Sequence, residues 1–171
     1  MSTTAIEIAV NAAARRGVQA SAEAAKFLTF KLAGEEYGLE ILKVREIIGV
    51  MDITAIPQLP LFIKGVINLR GKVIPVIDLR RKFGLPEVEY TQQTCVIVVN
   101  VGREIGVIVD TVSEVLDIRP DHIEPPPTVD ASVDTSFILG MGKVGDAVKI
   151  LLDIGRVLNC HELTGIPSAP A

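Results

Sequence analysis

Arg70 is the residue whose type and setting point most clearly to a binding role. It lies in the motif Asn68-Leu69-Arg70-Gly71, between two apolar runs that predict a hairpin turning at Arg70 and Gly71. A guanidinium group can donate two parallel hydrogen bonds to one carboxylate, a planar geometry that lysine cannot reproduce. Glu46 is a candidate partner. We expect Arg70 either to pair with this carboxylate beside an apolar binding surface or to be an ordinary solvated turn residue.

The remaining polar patterns predict no catalytic residue, cofactor site or metal site. Residues 140–145 match the phosphate-binding pattern G-x-G-x-x-G, but that pattern needs a helix after it, and residues 146–152 have the composition of a strand. His122 lies in a proline-rich loop and His161 in a tail, and neither has partners at metal-ligand spacing. Both histidines are therefore interpreted as surface residues.

An internal repeat shows which elements must position Arg70. When Gly34 is placed on Gly102, the same register aligns Glu36 with Glu104, Gly38 with Gly106, Val44 with Val112, and Glu46 with Glu114. Further along, a second register aligns Gly65 with Gly140, Asp78 with Asp153, and Arg81 with Arg156. The second copy therefore contains seven additional residues, which lie between Leu116 and Gly140.

The repeat also separates Arg70 from its neighbours. Residues that the backbone needs twice serve the fold, whereas a residue present in only one copy is a better candidate for function. The motif at 68–71 aligns with Lys143-Val144-Gly145-Asp146, so Arg70 has no counterpart. Glu46 does have a counterpart, Glu114, which indicates that a glutamate at this position also serves the fold.

Short runs of β-branched residues separated by glycine and charged residues predict an all-β protein. The predicted strands are residues 27–32, 37–41, 43–50, 63–69 and 72–79 in the first copy and 94–101, 104–109, 112–116, 138–141 and 147–152 in the second. Short helical turns are expected at 80–83 and 153–158, with Asp78 and Asp153 as their N-terminal caps. If strand 43–50 is regular, Val44 and Glu46 share one face, and Arg45 and Ile47 share the other.

Five strands per copy is the content of a small closed barrel, which would leave no exposed sheet edge. Two barrels of this size would each be marginally stable, so we expect them to pack against each other. Residues 73–77 and 95–99 are apolar on both faces, which predicts burial on both sides. Loops are expected at 56–61 and 117–137.

The composition restricts the classes of function. The 171 residues carry a formal net charge of −4 and include only 4% aromatic residues, which disfavours nucleic acids and proline-rich peptides as partners. No apolar run has the length of a membrane span, and no signal peptide is recognised, so we expect a cytoplasmic protein without direct membrane insertion. Cys95 and Cys160 are expected to be reduced. Residues 1–25 are predicted to be a flexible or partly helical tail, and residues 161–171 a second tail.

Three runs of residues carry a family resemblance. They are Phe30-Lys31-Leu32 with Gly34-Glu35-Glu36-Tyr37-Gly38, then Ile41-Leu42-Lys43-Val44-Arg45-Glu46-Ile47, and the long run Gly65-Val66-Ile67-Asn68-Leu69-Arg70-Gly71-Lys72-Val73-Ile74-Pro75-Val76-Ile77-Asp78-Leu79. With these runs, residues 26–158 closely resemble the CheW family, the adaptor proteins of bacterial chemotaxis. The resemblance implies two intertwined five-stranded SH3-like β-barrels, formed by repeats at about 26–84 and 94–158 within a domain spanning 26–160.

The resemblance also implies a function without catalysis. Such adaptors join the cytoplasmic tips of chemoreceptors to the regulatory domain of the histidine kinase CheA, are largely monomeric when free, and are recruited to membrane-associated receptor arrays. The receptor- and kinase-binding surface that it implies comprises Val44, Glu46, Ile47, Gly65, Val66, Ile67, Asn68, Leu69, Arg70 and Gly71. No phosphotransfer, ATP-binding or receiver segment is recognised, so we expect the free-standing adaptor. A small enzyme or ligand-binding barrel remains the alternative, and it would need a polar cluster converging on a pocket.

Overall fold

A computed structural model of the chain describes residues 25–126 and 137–158. The predictions for the first tail up to residue 24, for the later part of the long loop and for the second tail, with Cys160 and His161, lie outside the described residues. Among the described residues, no helix has the length and apolar character needed to cross a membrane.

The described residues form strands and single-turn helices in the order that the repeat predicts. The first copy contains β1 (Ala25–Leu32), β2 (Glu35–Glu40), β3 (Val44–Gly49), β4 (Ile63–Leu69), β5 (Lys72–Asp78) and helix α1 (Leu79–Lys82). The second contains β6 (Cys95–Asn100), β7 (Glu104–Val109), β8 (Thr111–Ile118), β9 (Ile123–Glu124), β10 (Ile138–Val144), β11 (Ala147–Leu152) and helix α2 (Ile154–Val157). The all-β prediction is confirmed, and each predicted strand is present to within a few residues.

The prediction of an unbroken loop from residue 117 is wrong in its first part. Strand β8 continues to Ile118, a 3-10 turn follows at Pro120–His122, and β9 then pairs with β10. The physical reason is apolar burial, because Ile118 is buried and packs in one cluster with Leu151 and Ile123. Proline suits the first position of the 3-10 turn, because its ring fixes φ at a value that the turn needs.

The two copies of the repeat exchange strands. One sheet has six strands in the order β8-β1-β2-β11-β10-β9, and the other has five in the order β3-β6-β7-β5-β4. The parallel pairs β2–β11 and β5–β7 each join a strand of one copy to a strand of the other. The intertwined arrangement is therefore confirmed, with β9 as the sixth strand of one sheet. Closure of each sheet into a barrel stays a prediction.

The main hydrophobic core contains buried side chains from both sheets. Phe30 and Leu39 of the six-stranded sheet lie in the same cluster as Ile97 and Val107 of the five-stranded sheet. Each fully buried aliphatic side chain stabilises the fold by about 1.5–3 kcal/mol. The runs predicted to be buried on both sides are largely so, since Ile74–Ile77 and all of Cys95–Val99 are buried.

Both helical turns begin at the predicted aspartates. The carboxylate of Asp78 accepts a hydrogen bond from the backbone N–H of Arg80, and that of Asp153 accepts one from Arg156. The phenol of Tyr90 also donates to Asp78, at 3.1 Å. These contacts confirm that the repeated aspartates are caps, which satisfy backbone N–H groups that a helix leaves without partners.

Candidate protein-binding surface

Strand β3 presents Glu46 through a β-bulge. Val44 pairs with Val99 whereas Glu46 pairs with Val98, so Arg45 is an extra residue in this strand. The strand is therefore not regular, and the sharing of faces that regularity would give does not apply, because the bulge lets Val44 and Ile47 both face the core while Arg45 is exposed. Glu46 is left half-buried at the surface.

The bulge belongs to the repeated architecture. In β8, Glu114 pairs with Thr29 and Val112 pairs with Phe30, so Ser113 is the extra residue there. The Thr29 hydroxyl donates to the Glu114 carbonyl at 2.8 Å and accepts from its N–H at 3.2 Å. These contacts involve the backbone of Glu114, so the bulge serves the fold and the glutamate side chain is left at the surface.

The tip of the β4–β5 hairpin fixes Arg70 in space. Arg70 and Gly71 have φ angles of 53° and 87°, which suit a tight two-residue hairpin turn. The Asn68 side-chain oxygen accepts a hydrogen bond of 2.9 Å from the Gly71 N–H and so stabilises the turn. The motif therefore has a local reason for its sequence, since Asn68 and Gly71 hold the backbone that presents Arg70.

The predicted pairing of Arg70 with Glu46 is present and bidentate. The Nη1 and Nη2 atoms of Arg70 donate to the two carboxylate oxygens of Glu46 at 2.7 and 2.6 Å. The hydrogen bonds with Glu46 raise the pKa of the Arg70 guanidinium above its ordinary value. The Arg70 side chain is 71% exposed and that of Glu46 is 23% exposed. An ordered cation therefore stands at the surface on a partly covered carboxylate.

This ion pair links the two edges of the five-stranded sheet. Glu46 belongs to β3 at one edge, and Arg70 lies at the tip of the hairpin that forms the other edge. A contact between opposite edges requires the sheet to curl strongly. Gly145 occupies the Arg70 position in the second copy and has no side chain for such a pair. The link is therefore specific to one of the two sheets.

Gly65 has a packing role within the predicted surface. Thr54 forms an isolated bridge to Val66. Its N–H donates to the Val66 carbonyl at 2.8 Å, and its carbonyl accepts from the Val66 N–H at 2.9 Å. A Cβ atom at Gly65 would lie 2.2 Å from the Thr54 carbonyl oxygen, and the φ angle of Gly65 is +151°. Only glycine lets the segment at Thr54 approach β4 this closely.

The ten residues of the predicted surface divide into exposed and buried groups. The buried group supports the surface from within and comprises Val44, Ile47, Gly65 and Ile67. The accessible group comprises Glu46, Val66, Asn68, Leu69, Arg70 and Gly71. The Arg70–Glu46 pair joins Glu46 to the hairpin that carries the other five residues, and we call these six residues the tip surface.

Further charged residues beside the tip surface were missed in the sequence analysis. Lys72 follows the hairpin turn, and its ammonium lies 3.9 Å from the carboxylate of Glu104. Arg45 is exposed at the bulge next to Glu46. The counterpart of Glu104, Glu36, also pairs with a lysine, Lys149, but Lys149 is not the counterpart of Lys72, so the repeat contained no signal for this pair. No signal in the sequence pointed to Arg45, since a bulge is not visible in the pattern of residues.

Known proteins are similar to this chain in sequence. The chain is 45% identical over 139 residues to the "Chemotaxis protein CheW" of Klebsiella aerogenes, a match that covers 81% of this chain and 84% of the relative. It is 34% identical over 137 residues to the protein of the same description from Helicobacter pylori, covering 80% of this chain and 82% of the relative.

A solved structure shows the same fold. The crystal structure of the scaffolding protein TtCheW from Thermoanaerobacter tengcongensis superposes with a TM-score of 0.73 at 42% identity, covering 80% of this chain and 93% of that chain. Residues 26–162 match the profile of the CheW-like domain. The chain therefore belongs to the family of proteins that contain a CheW-like domain.

Proposed function

We propose that this chain is a non-enzymatic adaptor that couples chemoreceptors to the histidine kinase CheA in bacterial chemotaxis. The observation that carries the proposal is the tip surface, where the bidentate Arg70–Glu46 pair fixes a cation at the tip of the hairpin whose strand β4 also carries the half-buried side chains of Val66 and Leu69. The descriptions of related proteins as a chemotaxis protein and a scaffolding protein support the same role.

A coupling function suits an ordered surface that has no chemistry of its own. An adaptor must hold two partners in a fixed relative geometry, and a tip held by backbone and side-chain hydrogen bonds loses little freedom when it binds. An exposed arginine beside apolar side chains is a common composition for the centre of a protein interface. We assign the receptor to the tip surface and the regulatory domain of CheA to the ends of the two sheets.

The signal would pass through this adaptor as a change in populations. A receptor that holds the adaptor and the kinase in one geometry favours the kinase conformation that fits that geometry. Interfaces of modest area allow the assembly to remain reversible. In this proposal the protein is cytoplasmic, largely monomeric when free, and recruited to membrane-associated receptor arrays through its partners.

Co-sedimentation tests the proposal directly. The full chain is mixed with membranes that contain chemoreceptors and with CheA, and the pelleted fraction of each protein is measured by quantitative gel analysis. We expect CheA to pellet only when receptor and adaptor are both present, and its autophosphorylation to rise in that pellet. The proposal is wrong if CheA pelleting and kinase activity do not depend on this chain.

A further inference from the structure

Within the residues that the structure describes, the chain crosses from one sheet to the other at two places. The first crossover is the 3-10 turn Ile41–Lys43, which joins β2 of the six-stranded sheet to β3 of the five-stranded sheet. The second crossover is the single residue Asp110, which joins β7 of the five-stranded sheet to β8 of the six-stranded sheet. Asp110 aligns with Leu42 in the register that places Gly34 on Gly102, so the crossovers are equivalent positions of the repeat.

At the second crossover, one carboxylate binds groups that belong to both sheets. Arg80 donates from Nε and Nη2 to the two oxygens of Asp110 at 2.7 and 2.6 Å. The Ala33 N–H, in the β1–β2 turn, donates to the same carboxylate at 3.0 Å. Arg80 lies in α1, directly after β5, and its remaining Nη1 group donates to the Pro86 carbonyl at 2.7 Å.

This contact is better shielded from water than an ordinary surface ion pair. The Arg80 side chain is 13% exposed and that of Asp110 is 27% exposed. The backbone also contributes, because the Asp110 N–H donates to the Lys31 carbonyl of β1 at 3.1 Å. A bidentate, charge-assisted contact with an additional backbone donor is among the stronger and more directional contacts in proteins.

The first crossover has different residues at the equivalent positions. Leu42 stands where the second crossover has Asp110, and Gly155 stands where α1 has Arg80, in the register that places Gly65 on Gly140. Neither side chain can form an ion pair. Leu42 is instead 54% exposed. A charged pair therefore connects the sheets at the second crossover, whereas the equivalent positions at the first crossover hold uncharged residues.

We propose that Arg80 and Asp110 are positioning residues that fix the angle between the two sheets, so that relative movement of the sheets is concentrated at the first crossover. That crossover leads directly into β3, where Val44 supports the tip surface from within and Glu46 belongs to it. Small changes at Ile41–Lys43 are thereby transmitted to the side of the molecule that carries Arg70. This last consequence rests on the proposed function, whereas the fixed angle does not.

A distance measurement between the sheets tests the fixed angle. Spin labels are attached at the exposed equivalents Lys72, in the five-stranded sheet, and Ala147, in the six-stranded sheet, after Cys95 and Cys160 are replaced by alanine. The distance distribution is then recorded by double electron–electron resonance. We expect a narrow distribution in this parent protein and a clearly broader one after Asp110→Asn, which removes the charge of the carboxylate.

The controls separate this effect from a general loss of stability. Asp117→Asn removes the exposed Lys26–Asp117 pair, whose partners both lie in the six-stranded sheet, and should leave the distribution unchanged. Arg80→Lys keeps the charge but loses the planar fork, so it should broaden the distribution to a lesser degree. If Asp110→Asn does not fold, Arg80→Lys decides the question. A distribution that stays as narrow as that of the parent in the folded variant overturns the proposal.

Receptor binding gives a second, separate result. For the unlabelled Asp110→Asn variant we expect affinity for receptor tips to fall about fivefold or more at a temperature where it is fully folded. A core variant with a similar loss of thermal midpoint, such as Ile154→Val, should keep its affinity. If the wild-type chain fails to bind receptor tips, the proposed function is wrong while the distance result still stands. If Asp110→Asn broadens the distribution but binds normally, the link to the tip surface is wrong.

Discussion

The guanidinium of Arg70 is exposed and yet ordered, because both oxygens of Glu46 accept its hydrogen bonds. A free surface arginine would lose much side-chain entropy on binding a partner. Here the pairing and the turn made by Asn68 and Gly71 have already restricted it. The sequence pattern marks this residue because it occurs in one copy of the repeat only. The proposed binding role of Arg70 therefore depends on a departure from the internal symmetry of the chain.

Replacing Arg70 should separate binding from folding. Arg70→Ala is expected to abolish co-sedimentation with receptors while the thermal midpoint changes little, because an exposed ion pair contributes little to stability. Arg70→Lys should restore only a small part of binding, since an ammonium cannot donate two parallel hydrogen bonds to Glu46. The matched control is Arg119→Ala, which removes another exposed pair with Asp121. Normal receptor coupling by Arg70→Ala would contradict the role assigned to the tip surface.

Asp110 should make stability depend on pH. The hydrogen bonds from Arg80 hold the pKa of Asp110 below its ordinary value. A carboxyl group with a lower pKa in the folded state stabilises the protein fully above its unfolded pKa, which is about 3.9, and this contribution is lost as the pH falls through the folded pKa. We expect the difference in urea midpoint between wild type and Asp110→Asn to be constant from pH 7 to about pH 5 and to shrink below about pH 4. A difference that is independent of pH would show that the charge of Asp110 is not the stabilising feature.

At the scale of elements, the strands and hairpins follow local sequence patterns, whereas the bulges do not. The strands and the helical caps could be predicted because apolar runs lie at matching positions in the two copies, and because Asp78 of the first copy aligns with Asp153 of the second. The bulge at Arg45 could not, since an extra residue in a strand leaves no mark on composition. Strand β9 has only two residues and forms through contacts with β10, which lie outside any local pattern. Sequence therefore predicts Arg70 and Glu46 as neighbours, and tertiary contacts decide how β3 presents Glu46.

A substitution at Gly65 would test how closely the segment at Thr54 packs against β4, the strand that leads to the tip surface. Gly65→Ala would place a methyl group on the Thr54 carbonyl at a φ angle that favours glycine, so the bridge between Thr54 and Val66 must move. We expect a loss of about 2 kcal/mol or more in the free energy of unfolding, measured by urea denaturation. Gly49→Ala is the control, because a Cβ atom there meets no atom within 4 Å. Equal stabilities of the two variants would show that the approach of Thr54 is not tight.

At the scale of the whole molecule, the exchange of strands makes the two copies of the repeat depend on each other. The first hairpin of each copy joins the sheet that contains the later strands of the other copy. The antiparallel pairs β1–β8 and β3–β6 and the parallel pairs β2–β11 and β5–β7 hold this exchange together. The distance along the sequence between β2 and β11 also implies slow folding, because distant segments must meet before these pairs form. The sequence repeat predicts two similar halves, but which strands share a sheet is decided only by long-range pairing.

Division of the chain between the copies should test this dependence. We expect fragments 1–91 and 92–171 to be unfolded when expressed alone, because each would lack part of both sheets and expose an unpaired strand edge. When both fragments are expressed together, they should assemble into one complex that co-purifies and unfolds in a single cooperative transition. Circular dichroism of the separate and combined fragments makes the comparison. If either fragment alone shows native-like β structure and cooperative unfolding, the sheets do not require strands from both copies, and the interdependence inferred from their topology is wrong.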